Sequence, residues 1–393
     1  MIRILAPFGF YGWGNIGDEG TLQGFAQLLA NSGQRVHTTV GSRDPAHTSR
    51  VEPAFRYFNA CSRDPRRWLA VLRANAHAII GGTPIMDIEG DWPLSDVAPL
   101  VRSAAARKIP FACIGVGTET LWLEQSRRIM DTEIAPRVRH WSVRCDGDRQ
   151  RLTEYGVPPE RVTVAADMAW LIEPVDSSYG RSRLQGWGID PQQPLIGVNL
   201  VNESFLLDKN PHMADALAIA LDELACRMDA RVIFLANEIR EDSKYDKAAA
   251  QLVIRRMRCA DRATLAPNEY FSPQQMMSII DCCDLTMSMR YHFCLFSALQ
   301  GTPFIAIQRS GKVADLCRDM AWPAAVTPPG FKAGEIVEHG ISLHRDASTI
   351  EDRLKQCIRT MRGRALRNII ALEALGNSQA ITLAEHSPAG REL

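Results

Sequence analysis

The sequence predicts two tandem doubly wound α/β domains, each Rossmann-like, followed by a C-terminal helical segment. Three observations lead there. The chain has 393 residues, more than the roughly 250–300 at which a single hydrophobic core stops growing. Short apolar, β-branched runs alternate with longer stretches of helical period, which is the pattern of a parallel sheet covered on both faces. That alternation occurs twice, broken once by a Pro-, Gly- and Ser-rich stretch.

The first series, 1–174, has strands expected at 2–7, 36–41, 76–82, 110–117, 141–144 and 162–165, with helices over 19–32, 95–107 and 146–155. Residues 175–193 interrupt the apolar periodicity and read as an interdomain linker. The second series, 194–347, has strands expected at 195–201, 231–236, 285–289 and 304–307, with helices around 213–228, 243–259, 273–282 and 292–300. From 348 to 393 the pattern is purely helical, with Leu354, Ile358, Met361, Ala365, Ile369 and Leu372 in one stripe. The other face carries Arg353, Lys355, Arg359, Arg362, Arg364 and Arg367. It reads as a solvated face, or alternatively as a contact with an anionic inner membrane leaflet bearing lipid-linked sugars. Two doubly wound halves place a cleft between them, lined by strand C-termini and helix N-termini.

Composition narrows the functional classes. Forty-five basic residues balance 45 acidic ones, so no nucleic-acid partner is expected. The ten cysteines are scattered, Cys113 and Cys294 lie inside apolar runs, and no zinc-like doublet recurs. Neither a disulfide framework nor a metal site is expected. The N-terminus lacks a signal-peptide pattern and no run of about 18 apolar residues occurs, which points to the cytoplasm.

Gly12-Trp13-Gly14-Asn15-Ile16-Gly17 is a literal G-x-G-x-x-G between a strand and a helix. A dinucleotide site is nevertheless not expected. Phe8-Gly9-Phe10-Tyr11 separates the strand from the first glycine of the motif, and Asp18 and Glu19 stand where a pyrophosphate would sit. Asp18 either caps the helix or points into the cleft as a general acid or base. With the aromatic residues nearby, Asn15, Trp13 and, from the Gly81-Gly82-Thr83 turn, Gly82 are candidates for holding a sugar.

Arg144 stands at a strand end before a helix start, where a surface arginine has no structural duty. Asp146-Gly147-Asp148 imitates a metal-binding Asp-x-Asp, but Asp146 as a helix cap explains it more simply. In the segment 284–307, Arg290 and His292 are the charged or titratable side chains at a turn between an apolar strand and an apolar helix. A guanidinium fork matches carboxylate or phosphate, and an imidazole exchanges protons near neutral pH. Arg309-Ser310-Gly311-Lys312 opens a further helix and adds a cation beside free backbone amides.

Taken in order, GNIGDEG, IIGGTPIMD, GVGTET, SVRCDGDRQRLTEYGV, VTVAADMAWLI and MSMRYHF…GTPFIAI…GK resemble the polysaccharide pyruvyltransferase family over roughly residues 3–320. The resemblance implies a GT-B-like pair of domains and transfer of pyruvyl from phosphoenolpyruvate to two sugar hydroxyls as a ketal, with no cofactor. It further implies that Arg144, Arg290 and His292 bind the donor or catalyse, and that Asp18 takes part. Lys312 joins the donor side as a further cation, His292 is expected to handle the proton to carbon or phosphate, and Asp18 the acceptor hydroxyl. The expected partners are phosphoenolpyruvate and a sugar or lipid-linked saccharide, in cell-surface or exopolysaccharide synthesis. Thr83 replaces the usual third glycine, and Cys145 directly follows Arg144 in place of the usual residue. A glycosyltransferase using a nucleotide sugar and a non-catalytic carbohydrate-binding relative are the alternatives.

Overall fold

The computed structural model describes residues 1–62, 64–87, 90–240, 245–308, 311–323 and 332–376. Its first sheet has seven strands: β1 (Ile2–Ala6), β2 (Val36–Ser42), β3 (Arg56–Asn59), β4 (Ala76–Ile80), β5 (Phe111–Val116), β6 (His140–Val143) and β7 (Val162–Val164). All pairings are parallel, in the order β3-β2-β1-β4-β5-β6-β7. Helices α1 (Ile16–Ser32), α2 (Pro45–Val51), α3 (Pro65–Arg73), α4 (Leu94–Ala106), α5 (Glu124–Ile129) and α6 (Asp146–Glu154) connect them. β4 and β5 are buried at every position, which is why they read as continuous apolar runs.

Helix α7 (Ser178–Gly186) leads to the second sheet, β8 (Leu195–Asn199), β9 (Arg231–Phe234), β10 (Ala263–Leu265), β11 (Leu285–Ser288) and β12 (Phe304–Ala306). It is also parallel, ordered β10-β9-β8-β11-β12. Its helices are α8 (Leu206–Lys209), α9 (Pro211–Arg227), α10 (Asp246–Ile254), α11 (Pro273–Ile280), α12 (Tyr291–Leu299), α13 (Gly311–Asp319) and α14 (Ala333–Arg345). In each sheet the order reverses once, between β1 and β4 and between β8 and β11, and ligands bind beyond the strand C-termini at such points.

Three features depart from the sequence reading. Strands β3 and β10 were not expected: both are short edge strands, and β10 is only half-buried along its length, so neither shows an apolar run. The expected linker contains α7, packed on α11, with the Gly180 amide donating to Ser278 Oγ at 2.9 Å. The third concerns the C-terminal helices α15 (Ala347–Leu366) and α16 (Ile369–Gly376), which cross back to the first domain. There α15 lies against the turn Met168–Leu171 and α16 against β5 and β6.

Two arginines placed on the solvated or membrane face of that segment turn inward instead. Arg362 donates to the carbonyls of Trp170 and Ile172 at 3.1 and 2.8 Å. Arg364 donates to those of Ala165 and Arg144, both at 3.1 Å, and pairs with Asp319. Buried Asn368 completes the attachment, donating to the Ala166 carbonyl and accepting from Ser142 Oγ. Residues 377–393 of the expected segment lie outside the described residues. No helix among the described residues is long and apolar enough to cross a membrane.

Candidate active site

A cleft of about 500 Å³ lies between the two sheets, and Trp13, Asn15, Asp18, Gly82, Arg144, Arg290, His292 and Lys312 all line it. Residues from β1, β4 and β6 onward meet residues from β11 and α13 because both sheets aim their strand C-termini at the same gap.

The centre of the cleft is built around Asp167, which the sequence reading passed over. Asp167 follows β7 and caps the next turn by accepting from the Ala169 amide. It is fully buried. His292, in the first turn of α12, places Nε2 3.2 Å from Asp167 Oδ2 and 3.1 Å from Thr21 Oγ1. Arg144, directly after β6, places Nε 2.8 Å from the same carboxylate oxygen. Burial alone would raise the Asp167 carboxyl, but the Arg144 and His292 charges outweigh it and hold the group below the ordinary carboxylate range. Asp167 is therefore an anion that fixes an arginine and, across the domain seam, a histidine.

With Nε2–H donated to Asp167, the His292 Nδ1 is the nitrogen left to give or take a proton. It lies against Gly17 in the first turn of α1, where an added Cβ would fall 2.2 Å from Nδ1. The imidazole can occupy this place because residue 17 has no side chain. Arg144 keeps one donor in reserve: among the described residues, its buried Nη2 has no hydrogen-bond partner. Asp18 is half-buried at the rim. Burial pushes its pKa up to about 6, with Glu238 adding to the rise against the pull of His292 and Arg144.

Several residues have structural duties that the sequence reading did not assign. Arg290 is engaged by two carboxylates, Asp246 at 2.5 Å and Glu238 at 2.9 Å. Asp246 also accepts from Asn199 Nδ2 and from the Asn237 and Glu238 amides. Arg290 thereby braces the segment 237–239, which is hydrogen-bonded to the glycine loop through Ile16 N to Asn237 O and Ile239 N to Gly14 O. These carboxylates engage Nε and Nη2 of Arg290, which still lines the cleft. Lys312, at the start of α13, lies 3.3 Å from Glu119, whereas Arg309 and Ser310 lie outside the described residues.

On the expected acceptor side, Asn15 and not Asp18 caps α1: its Oδ1 accepts from the Gly17 amide at 3.0 Å and from Asn237 Nδ2 at 3.1 Å. Two guanidiniums already sit over the Trp13 ring, Arg43 at 4.3 Å and Arg240 at 4.8 Å from its centroid. Gly82 has φ 68°, and a Cβ there would strike the Phe10 ring at 2.6 Å, so the glycine serves the turn and the seat of Phe10. The Gly12 amide donates to Glu19 Oε1 at 2.7 Å, so a protein carboxylate occupies part of the glycine loop where a pyrophosphate would need amides. Asp146 does not cap α6: the capping position is Cys145, whose side chain makes no capping bond, and Asp146 pairs with Arg149. Asp148 is the buried partner, accepting from Thr118 and from the Arg144 amide.

A signal for Asp167 exists in the sequence, since one carboxylate inside the apolar run VTVAADMAWLI needs a buried partner. Glu119, Glu203, Glu238 and Arg240, which also line the cleft, lie in no comparable context.

Residues 15–311 match the model of the polysaccharide pyruvyl transferase family, a span that includes Asp18, Arg144, Asp167, Arg290 and His292. The chain belongs to that family. Among proteins of curated sequence none matches it. In fold this family member is similar to UDP-GlcNAc 2-epimerase from Neisseria meningitidis bound to UDP-GlcNAc (TM-score 0.62, 10% identity, covering 96% of this chain and 100% of that one). It is also similar to S. aureus MnaA bound to UDP (0.64, 9%, 94% and 95%) and to Anabaena Alr3699/HepE with UDP-glucose (0.63, 13%, 96% and 100%). At such identities the likeness is one of fold, a GT-B-like pair of Rossmann-like domains with C-terminal helices.

Proposed function

We propose that this member of the family transfers the pyruvyl carbons of phosphoenolpyruvate to two hydroxyls of a sugar as a cyclic ketal. The observation that supports this best is the Asp167–His292 pair beside Nη2 of Arg144, which has no hydrogen-bond partner among the described residues. It joins an oriented proton carrier to a buried cationic donor, and an anionic enol phosphate requires both.

His292, oriented by Asp167, delivers a proton to the donor's methylene carbon, and the central carbon becomes electrophilic. A sugar hydroxyl adds there as Asp18 takes its proton. Phosphate leaves with the C–O bond electrons, and the second hydroxyl closes the ketal, its proton returning through the same groups. The two hydroxyl protons end on the new methyl group and on phosphate. Arg144 and Lys312 face the donor anion, and the Arg290 brace keeps the glycine loop against the second domain. The acceptor is a sugar or lipid-linked saccharide in cell-surface or exopolysaccharide synthesis, and the site of action is cytoplasmic.

Donor binding tests this without knowledge of the acceptor. Phosphoenolpyruvate at about 100 times its Kd should raise stability by ~2.7 kcal/mol, read as a higher Tm. UDP-glucose raising Tm while phosphoenolpyruvate does not would instead favour nucleotide-sugar chemistry, given the UDP-sugar complexes of the structural neighbours. With an acceptor in hand, His292→Ala should abolish phosphate release. Asp167→Asn should lower it by about 10²–10³-fold, since the imidazole loses its orientation.

A further inference from the structure

Helix α3 presents its apolar side to solvent. Its sequence is PRRWLAVLR, and none of its residues is buried. Trp68, Leu69 and Leu72 are 69%, 50% and 75% exposed. At about 100° per residue these three and Pro65 share one side of the helix, with Arg66 and Arg73 along one edge and Arg67 on the opposite side. Ala70 and Val71 are the half-buried positions.

Polar contacts hold the helix in place, not burial of its apolar stripe. Asp64 caps it by accepting from the Arg66 amide. Arg107 Nη2 donates to the Val71 carbonyl at 2.9 Å, and Arg3 Nε donates to that of Arg73 at 2.6 Å. Asp64 is the one carboxylate in 64–75, and it is paired with Arg66. No ion pair is recorded for Arg67 or Arg73 among the described residues. In a chain whose formal net charge is zero, three exposed apolar side chains flanked by arginines form a local basic and apolar patch.

We infer that α3 docks the first domain onto an anionic phospholipid bilayer. Trp68 would lie at the headgroup level, Leu69 and Leu72 at the acyl boundary, and the arginines on lipid phosphates. Charge decides between occupants. An antiparallel α3 pair about a two-fold axis would set the Arg66 and Arg73 edge of one copy against the same edge of the other, whereas an anionic surface complements it. This inference does not depend on the donor chemistry.

The test is sedimentation of the full chain with vesicles of phosphatidylglycerol and phosphatidylcholine, compared with phosphatidylcholine alone. Binding should require the anionic lipid and weaken with salt. Arg73→Ala should weaken it by about fivefold. Trp68→Ser with Leu72→Ser should remove it, while Tm and turnover of a soluble acceptor stay as in the wild type. The inference is overturned if the wild type does not bind, or if the double-serine variant binds as well as the wild type. It also fails if α3 variants break a solution dimer that ignores vesicles, which would make a second copy the occupant.

Discussion

Replacing Gly17 by alanine separates the site's geometry from its stability. The new Cβ would fall 2.2 Å from His292 Nδ1 and 2.4 Å from Cγ, where ordinary contact begins at 3.4 Å, so the ring must retreat by about 1.2 Å. Its bond to Asp167 is already 3.2 Å long and would not survive that movement. A displacement of this size typically costs about 10²-fold in rate. Stability should fall by no more than about 2 kcal/mol, because residue 17 is helical. Alanine there gains about 1 kcal/mol of helix propensity, against an overpacking cost of about 1–3 kcal/mol. The assay is phosphate release from phosphoenolpyruvate, paired with a melting curve. A folded variant with wild-type turnover would refute the argument that the glycine exists to admit the imidazole.

Other consequences are equally direct. If Asp18 accepts the acceptor's proton, kcat/KM should fall as pH drops through about 6, where the carboxyl becomes protonated, and Asp18→Asn should lose that limb together with most of the rate. Glu19 is buried, and desolvation pushes its pKa from 4.5 up to about 7 against the Gly12 and Thr48 hydrogen bonds. The folded state therefore favours its protonated form, and the stability this contributes is full below about 4.5 and lost as pH rises through about 7. Glu19→Gln should remove about 3 kcal/mol of pH-dependent stability between pH 5 and pH 8, and parallel Tm–pH curves for the two proteins would contradict this. Arg290→Ala leaves Asp246 and Glu238 buried without their cation and should cost about 3–5 kcal/mol. An unchanged Tm with weakened phosphoenolpyruvate binding would return Arg290 to the donor clamp.

Within the site, the dividing line runs between positions and partners. Arg144 and His292 were legible because a charged or titratable side chain at the end of a buried apolar strand has few structural reasons to be there. The same logic did not show that Arg290 pairs with Glu238 and Asp246, which come from a different loop and helix. Nor did it show that Asn15 caps a helix and that Trp13 lies under two arginines.

The sequence by itself determined the two parallel sheets, since strands buried on both faces must be continuously apolar and their helices must show the longer period. It also determined that a glycine-rich turn with two carboxylates, an Arg144 and a His292 would stand at strand ends. Only the tertiary structure decided that Asp167 holds a histidine 125 residues away, that α15 and α16 return to the first domain, and that Arg362 and Arg364 face inward. The physical reason is range. Burial and backbone preference are set within one element, whereas a charge's partner depends on how two separately folded sheets are placed against each other.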